Sequence, residues 1–368
     1  MSRIAYGIIG CGGIAQMHAE AIRRLADLGE ADLVAVCDTV PEKARALAAR
    51  YDVPHVFTDA RQLLQSGLVE AVSVCTPHPS HCPLAILCAE HRVHVIVEKP
   101  LSVDLREADR AIAAARRAGI RFGVIFQRRF WPAAQRAHQA IAAGKLGRII
   151  LGDCLVKWYR PRAYYERDPW RGRWDSEGGG VLVNQAVHAI DMFQWLMGPV
   201  ETVFGFWANL THPYIEVEDT AVAALRFRNG ALGVISTSVS ITPQLGARIT
   251  IHGENGATIS ILEHPEGMYG VNDIWTIPGE EAEAARILAE EQARGAFMFR
   301  TALQPDGQRS AERNPECHML QLRDFLQAIR ENRDPLVTAE EGRKSIEIIQ
   351  AIYESGRTGR PVHLPLGG

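Results

Sequence analysis

The chain has 368 residues, of which 47% are hydrophobic, 23% charged and 7% aromatic, which excludes disorder, collagen-like repeats and fibrous structure and leaves length for two domain cores. Forty basic residues against 43 acidic ones give a net charge of −3, so no polycationic face is expected for nucleic acid or an anionic membrane, and a small uncharged or mildly polar ligand is the expected partner. Lysine supplies only five of the basic residues, which makes a lysine inside a motif notable.

Seven scattered cysteines, none in a C-x2-C pair, point to a reducing compartment, the cytoplasm. His78, His81 and Cys82 lie near one another, but no second ligand pair follows them, so no metal is expected. The longest apolar run, residues 5–15, is far short of a membrane span, and its glycines argue against a secretory signal.

From residue 3 to 126, short β-branched runs alternate with alanine-rich helical stretches. Strands are predicted at 4–9, 33–37, 71–75, 93–97 and 121–126, and helices at 14–28, 41–51, 81–91 and 105–118. Such βαβ repetition predicts a doubly wound parallel sheet with right-handed crossovers.

The first strand runs into Gly10-Cys11-Gly12-Gly13-Ile14-Ala15, a G-x-G-x-x-A turn. In this pattern Gly10 permits the tight turn, Gly12 lets a pyrophosphate approach the backbone, and Ala15 allows the helix to pack closely on the strand. The phosphates would sit at the helix N-terminus. Asp38 ends the second strand, where a carboxylate accepts hydrogen bonds from both ribose hydroxyls and repels a 2′-phosphate, so NAD is expected rather than NADP. Thr76-Pro77 and Glu98-Lys99-Pro100 end later strands at the same sheet edge, which puts a rare lysine beside the cofactor.

Beyond residue 126 the pattern changes. Gln127-Arg128-Arg129-Phe130-Trp131-Pro132 leads into a helix ending near Gly147, followed by an aromatic, arginine-rich stretch at 158–174. Strands predicted at 149–156, 200–207, 220–227, 231–239 and 247–252, with an Asn229-Gly230 hairpin turn, suit an open, mostly antiparallel sheet. The expected division is 1–126 for the dinucleotide-binding domain and 127–368 for an α/β substrate and oligomerisation domain, with the last helix and tail packing back on the first.

Gly178-Gly179-Gly180 precedes an apolar helix, 181–197, whose polar residues Asn184, His188 and Asp191 fall at i, i+4 and i+7. Burying an amide, an imidazole and a carboxylate together is costly unless they bond one another or face a polar cavity, so the stripe reads as the floor of a site, with the glycines admitting a ligand to the backbone. The arginines at 160, 162, 167, 171 and 173 read as partners for Glu166, Asp168, Asp175 and Glu177 in preference to receptors for an acidic sugar. Residues 263–313 carry no motif, and their helical part, 280–293, reads as an exposed lid or an interface element.

The glycine turn, the Asp ending the second strand, Glu-Lys-Pro, and G-G-G-x-L-x-N-x-x-x-H-x-x-D together resemble the glucose-fructose oxidoreductase, inositol dehydrogenase and rhizopine catabolism family, Gfo/Idh/MocA. The resemblance implies a Rossmann domain, an open-sheet α/β domain, dimers or tetramers built on sheet faces, and an NAD(P)-dependent dehydrogenase of sugars or cyclitols. It makes Lys99 and His188 the catalytic pair and implies a cis Lys99-Pro100 bond. The cofactor set is then Gly10, Gly12, Gly13, Ile14, Ala15, Asp38, Thr76, Pro77, Glu98, Lys99 and Gln127, and the substrate set Asn184, Arg128, Tyr159, Trp170 and Trp174, with Arg129 nearby. Many members carry Asp where this chain has Asn184, and an amide cannot titrate. The proton then falls to His188, with Lys99 stabilising the developing alkoxide, or to Lys99 itself. The same fold also serves NAD-dependent glycosidases, which act by transient oxidation and elimination, and nucleotide-sensing regulators.

Overall fold

The structure, a computed structural model, describes residues 3–265, 269–299 and 315–366, with the side chains of 291–299 outside that description. The first part alternates β1 (Ile4–Ile9), α1 (Ala15–Asp27), β2 (Ala31–Cys37), α2 (Pro41–Tyr51), β3 (His55–Phe57), α3 (Ala60–Gln65), β4 (Ala71–Val74), α4 (His81–Glu90), β5 (His94–Val97), α5 (Leu105–Ala118) and β6 (Phe122–Val124). All the pairings are parallel and the strand order is β3-β2-β1-β4-β5-β6, a Rossmann sheet. β3 and α3 carry no clear signal in the sequence. β3 is a three-residue edge strand with mostly exposed side chains, and α3 is a short helix capped by Asp59, whose carboxylate accepts from the Gln62 N–H at 2.9 Å.

The second part contains α6 (Pro132–Ala142), β7 (Ile149–Lys157), α7 (Arg162–Glu166), a π-helical turn (Val181–Ala186), α8 (Val187–Met197), β8 (Val200–Ala208), β9 (Thr220–Phe227), β10 (Leu232–Ser238), β11 (Gly246–Gly253), β12 (Thr258–Glu263), β13 (Gly270–Val271), α9 (Glu281–Phe299), α10 (Glu316–Glu331), α11 (Ala339–Thr358) and β14 (Val362–His363). The eight-stranded sheet runs β13-β12-β11-β7-β10-β9-β8-β14 and is antiparallel except where β10 lies parallel to β7. One face is covered by α8, which sits so close that a Cβ on Gly152 would meet Met197 and Phe193 at 2.6 and 2.7 Å. The opposite face leaves Phe206, Val222, Leu232 and Val234 exposed.

The helix predicted over 181–197 differs at its start. Glu218 accepts from the N–H groups of Gly180 (2.8 Å) and Leu182 (3.0 Å), and its carbonyl takes the Val181 N–H, so the entering turn is held open as a π turn before α-helix resumes at Val187. The stripe is therefore not one face. Asp191 turns away to a buried, bidentate pair with Arg129, at 2.8 and 2.7 Å, instead of lying on the floor of a cavity.

The later helices lie against both sheets. Leu322, Phe325 and Leu326 of α10 pack with Ile22 and Leu25 of α1. α11 lies across the two sheets: Gly342 fits against Val124 of β6, Tyr353 bonds Glu218, and Ser355 bonds the Gly205 N–H in β8. The tail strand β14 pairs antiparallel with β8. Of the opaque segment 263–313, residues 266–268 and 300–313 lie outside the described residues, and α9 occupies the predicted helical part. Among the described residues no helix is long and apolar enough to cross a membrane.

Arg129 is 1% exposed and also reaches Glu341 on α11 at 3.2 Å. Removing one member of a buried pair leaves the other charge stranded, so Asp191→Ala is expected to cost about 3–5 kcal/mol in urea unfolding. Glu341→Ala, at a partly exposed carboxylate, is expected to cost less than about 1 kcal/mol in the same measurement.

Candidate active site

A cleft of about 2400 Å³ opens along the carboxyl ends of β1, β2, β4 and β5 and extends over the arginine-rich stretch. Gly10, Gly12, Gly13, Ile14, Asp38, Thr76, Pro77, Glu98, Lys99 and Gln127 line its inner part, and Arg128, Tyr159, Tyr164, Trp170, Arg171 and Asn184 its outer part. Three expected residues are not in the lining. Ala15 is buried at the start of α1 against β1 and β2, the packing role its size predicts. His188 lies behind the wall, edge-on to Phe126 at 5.6 Å. Trp174 donates to the Glu216 carbonyl and packs on Trp207 and Tyr353.

The glycine turn has the shape a dinucleotide requires. At φ +90°, Gly10 is in the left-handed region, and a Cβ there would meet the Cys75 carbonyl carbon at 2.7 Å. A Cβ on Gly12 or Gly13 would meet nothing within 4 Å and would project into open space. That space lies at the N-terminus of α1, whose first turn holds no acidic residue. Asp38 is held at the tip of β2 by the N–H groups of Cys11 (2.7 Å) and Val40 (2.8 Å), leaving carboxylate lone pairs for a ribose. These residues fit NAD.

Lys99 stands where the inner and outer parts meet, and the Lys99-Pro100 bond is cis. Its Nζ donates to the Asn184 carbonyl (3.0 Å) and to Asn184 Oδ1 (3.1 Å). Burial pushes the Lys99 ammonium down, to about 8; Arg171 and Arg128 add to the effect, while Glu98 and Glu177 oppose it. Burial, together with the charges of Arg128 and Lys99, holds the His188 ring well below the usual histidine range, so it is neutral at pH 7. Its Nδ1 is buried with no hydrogen-bond partner among the described residues.

Among the described residues, one group of three metal-ligating side chains comes together, His18, Glu98 and His318. Its bonding is that of a polar network. His18 bonds Ser73 Oγ at 2.8 Å and Glu98 Oε1 at 3.0 Å, while Glu98 Oε2 accepts from the Lys99 N–H at 3.1 Å. Burial opposes the charge on Glu98, but the His18 hydrogen bond and nearby positive charge outweigh it and hold the carboxyl down, to about 2. The other histidines that raised a metal question are tied to backbone: His78 to the Glu177 carbonyl, and His81 to those of Pro100 and Thr76.

The arginine-rich stretch pairs with its own acids: Arg162 with Glu166, Arg167 and Arg171 with Asp168, and Arg173 with Asp175. Glu177 is the exception, bonding Asn184 and the Gly172 N–H. Arg128 pairs with Glu263 at 2.7 Å. The glycine triplet also has a different cause from the one expected. A Cβ on Gly178, Gly179 or Gly180 would run into Val103 (2.3 Å), Tyr353 (2.1 Å) or the Glu218 carbonyl (1.8 Å), so it is protein that approaches the backbone there.

Sequence reasoning missed Tyr164, whose hydroxyl meets Asn184, Gln185 and Arg171, and it missed the bond between Glu177 and Asn184. Both lie next to recognised motifs, but nothing in their spacing marks a contact with residue 184.

Residues 4–126 match the model for the oxidoreductase family, NAD-binding Rossmann fold, and residues 138–364 that for the oxidoreductase family, C-terminal alpha/beta domain. The chain is 28% identical to myo-inositol 2-dehydrogenase of Thermotoga maritima, over 97% of this chain and 98% of that one. It is 25% identical to scyllo-inositol 2-dehydrogenase (NAD(+)) of Bacillus subtilis, over 98% and 96%. A solved structure of the WlbA dehydrogenase from Bordetella pertussis, in complex with NADH and UDP-GlcNAcA, is 32% identical with a TM-score of 0.81, covering 99% of this chain and 100% of that one.

The two kinds of glycine are separable by experiment. Gly12→Ala is expected to leave the urea midpoint of the free protein unchanged and to weaken NAD binding by calorimetry about tenfold or more, equivalent to ~1.4 kcal/mol. Gly180→Ala is expected to destabilise the fold by about 1–3 kcal/mol, the usual cost of overpacking.

Proposed function

This chain belongs to the Gfo/Idh/MocA oxidoreductase family and is an NAD(P)-dependent oxidoreductase, and from that premise we propose that it oxidises a ring hydroxyl of a sugar, sugar derivative or cyclitol. The observation that carries the reading is Lys99. Its half-buried amine stands in the cleft wall, tied to Asn184, and burial pushes it down to about 8, near the pH at which a general base must work.

Bound NAD supplies the hydride acceptor. Asn184 and Tyr164 hold the substrate hydroxyl near Lys99 Nζ, which in its neutral form takes the hydroxyl proton. His188 is too strongly depressed to share that proton near neutrality. Its ring stays neutral behind the wall, packed edge-on against Phe126. Oxidation therefore needs Lys99 neutral, and reduction needs it protonated.

A second reading narrows the substrate to a nucleotide-linked sugar acid. It is favoured by Arg160, Arg167 and Arg171 on the outer wall of the cleft and by the UDP-GlcNAcA in the WlbA structure. NADH formation with free inositols and sugars, compared with UDP-linked sugar acids, separates the two readings. Sugar release without net NADH marks elimination, and NAD binding with no turnover on any of them marks a regulator.

Residues 1–126 serve in this reading as the dinucleotide-binding domain and 127–368 as the substrate domain, and the seven free cysteines support a reducing compartment, the cytoplasm. The exposed row of Phe206, Val222, Leu232 and Val234 supports a homodimer or homotetramer built on this sheet face.

Lys99→Met is expected to lower turnover, followed by NADH absorbance, about 10²–10⁴-fold. In the unmodified enzyme kcat/KM for oxidation should rise with pH and reach half its limit near 8, with the opposite trend for reduction. Turnover within about threefold of normal in Lys99→Met removes the assignment. Leu232→Arg with Val234→Arg is expected to give monomers by light scattering.

A further inference from the structure

Asn184 bonds Lys99 with an uncharged group, yet a buried ammonium calls for a nearby anion. Glu98 stands on one side of it, and a second anion is one bond further on. Asn184 Oδ1 accepts from Lys99 Nζ at 3.1 Å, and Asn184 Nδ2 donates to Glu177 Oε1 and to the Tyr164 hydroxyl. Glu177 is 1% exposed, and its other oxygen accepts from the Gly172 N–H at 2.5 Å. Among the described residues no cation is in direct ion-pair contact with it.

A carboxamide has a donor end and an acceptor end. If Asn184 turned over, its NH₂ would face the Lys99 ammonium and its oxygen would face the Glu177 carboxylate, with like poles opposed at both ends. An ionised Glu177 therefore selects the orientation that gives Lys99 an acceptor. Arg171 is the other nearby cation, but it is engaged by Asp168 at 2.9 Å and stacked on the Tyr164 and Trp170 rings.

We propose that Glu177 is the positioning carboxylate of the Lys99 site: it locks the Asn184 amide toward the lysine and supplies, through that amide, the negative charge Asn184 lacks. The proposal rests on the reading of Lys99 as the proton-handling group. Glu177 does not touch the lysine and is not itself part of the cleft lining, so it acts through Asn184. Burial raises the Glu177 carboxyl, and the Gly172 N–H, Asn184, Arg171 and Lys99 pull it back, so its charge and that of Lys99 support each other. The other charged or titratable groups around Lys99 are Glu98 beside it, Arg128 in the segment leading to α6, His78 and His81 after β4, and His188 on α8.

With only five lysines in the chain, the test is direct. Protein carrying ε-¹³C lysine, without cofactor or substrate, is titrated by NMR, and the Lys99 signal is assigned from Lys99→Arg. The expected Lys99 midpoint is about 8 in the unmodified protein. In Glu177→Gln it falls by about one pH unit. In Glu177→Gln with Asn184→Asp, which moves the carboxylate next to the lysine, it returns to the starting value or above. A folded Glu177→Gln protein with an unchanged midpoint overturns the proposal, since a merely structural glutamate would alter stability and leave the titration alone. Should Glu177→Gln fail to fold, the unmodified protein carries the test: the Lys99 signal then shows a second inflection above the usual carboxylate range as Glu177 takes its proton, and its absence overturns the proposal. The titration uses no substrate, so its outcome is independent of NADH formation, on which the dehydrogenase reading depends.

Discussion

The packing of three glycines holds the two halves of the cleft in register. Gly178, Gly179 and Gly180 are pressed against Val103 after β5, Tyr353 of α11 and the backbone of Glu218, with no room for a Cβ at any of them. Their neighbours come from widely separated parts of the chain. The contact brings the segment carrying Glu177, Asn184 and His188 up to Lys99. Glu218 then caps the entering turn through Gly180 and Leu182. A larger residue at 180 would displace the very turn that carries Asn184.

On this frame the electrostatics of the site are a balance of opposed effects. Burial works against charge on Lys99, Glu98 and Glu177 alike, but the outcomes differ because the partners differ. Glu98 has the His18 hydrogen bond and stays ionised, while Glu177 has only N–H donors in contact and is shifted upward. Lys99, between the two carboxylates and facing Arg171 and Arg128, comes to rest close to neutrality. A single lysine can thereby exchange a proton at the point where the inner and outer parts of the cleft meet.

What was legible in the sequence was local. The βα alternation and the glycine turn with Asp38 follow from rules spanning a few residues, and they correspond to the Rossmann sheet and the inner cleft. The reading of the second half faltered where a residue's role depends on a distant partner. Asp191 has the spacing of a site residue, but Arg129, 62 positions earlier, claims it. Trp174 reads as a substrate platform, but it stands outside the cleft lining with its ring edge-on to Trp207 and Tyr353. The glycine triplet reads as the approach of a ligand to the backbone, but the approaching atoms are the protein's own. Glu177 reads as one of the carboxylates available to arginine, since nothing in its neighbourhood marks Asn184 as its partner.

α11 crosses from one sheet to the other, fitting Gly342 against β6 and Ser355 against β8, while Glu341 reaches the buried Arg129. A hinge between the sheets would have to strip both contacts and expose a buried guanidinium, so the helix acts as a splint.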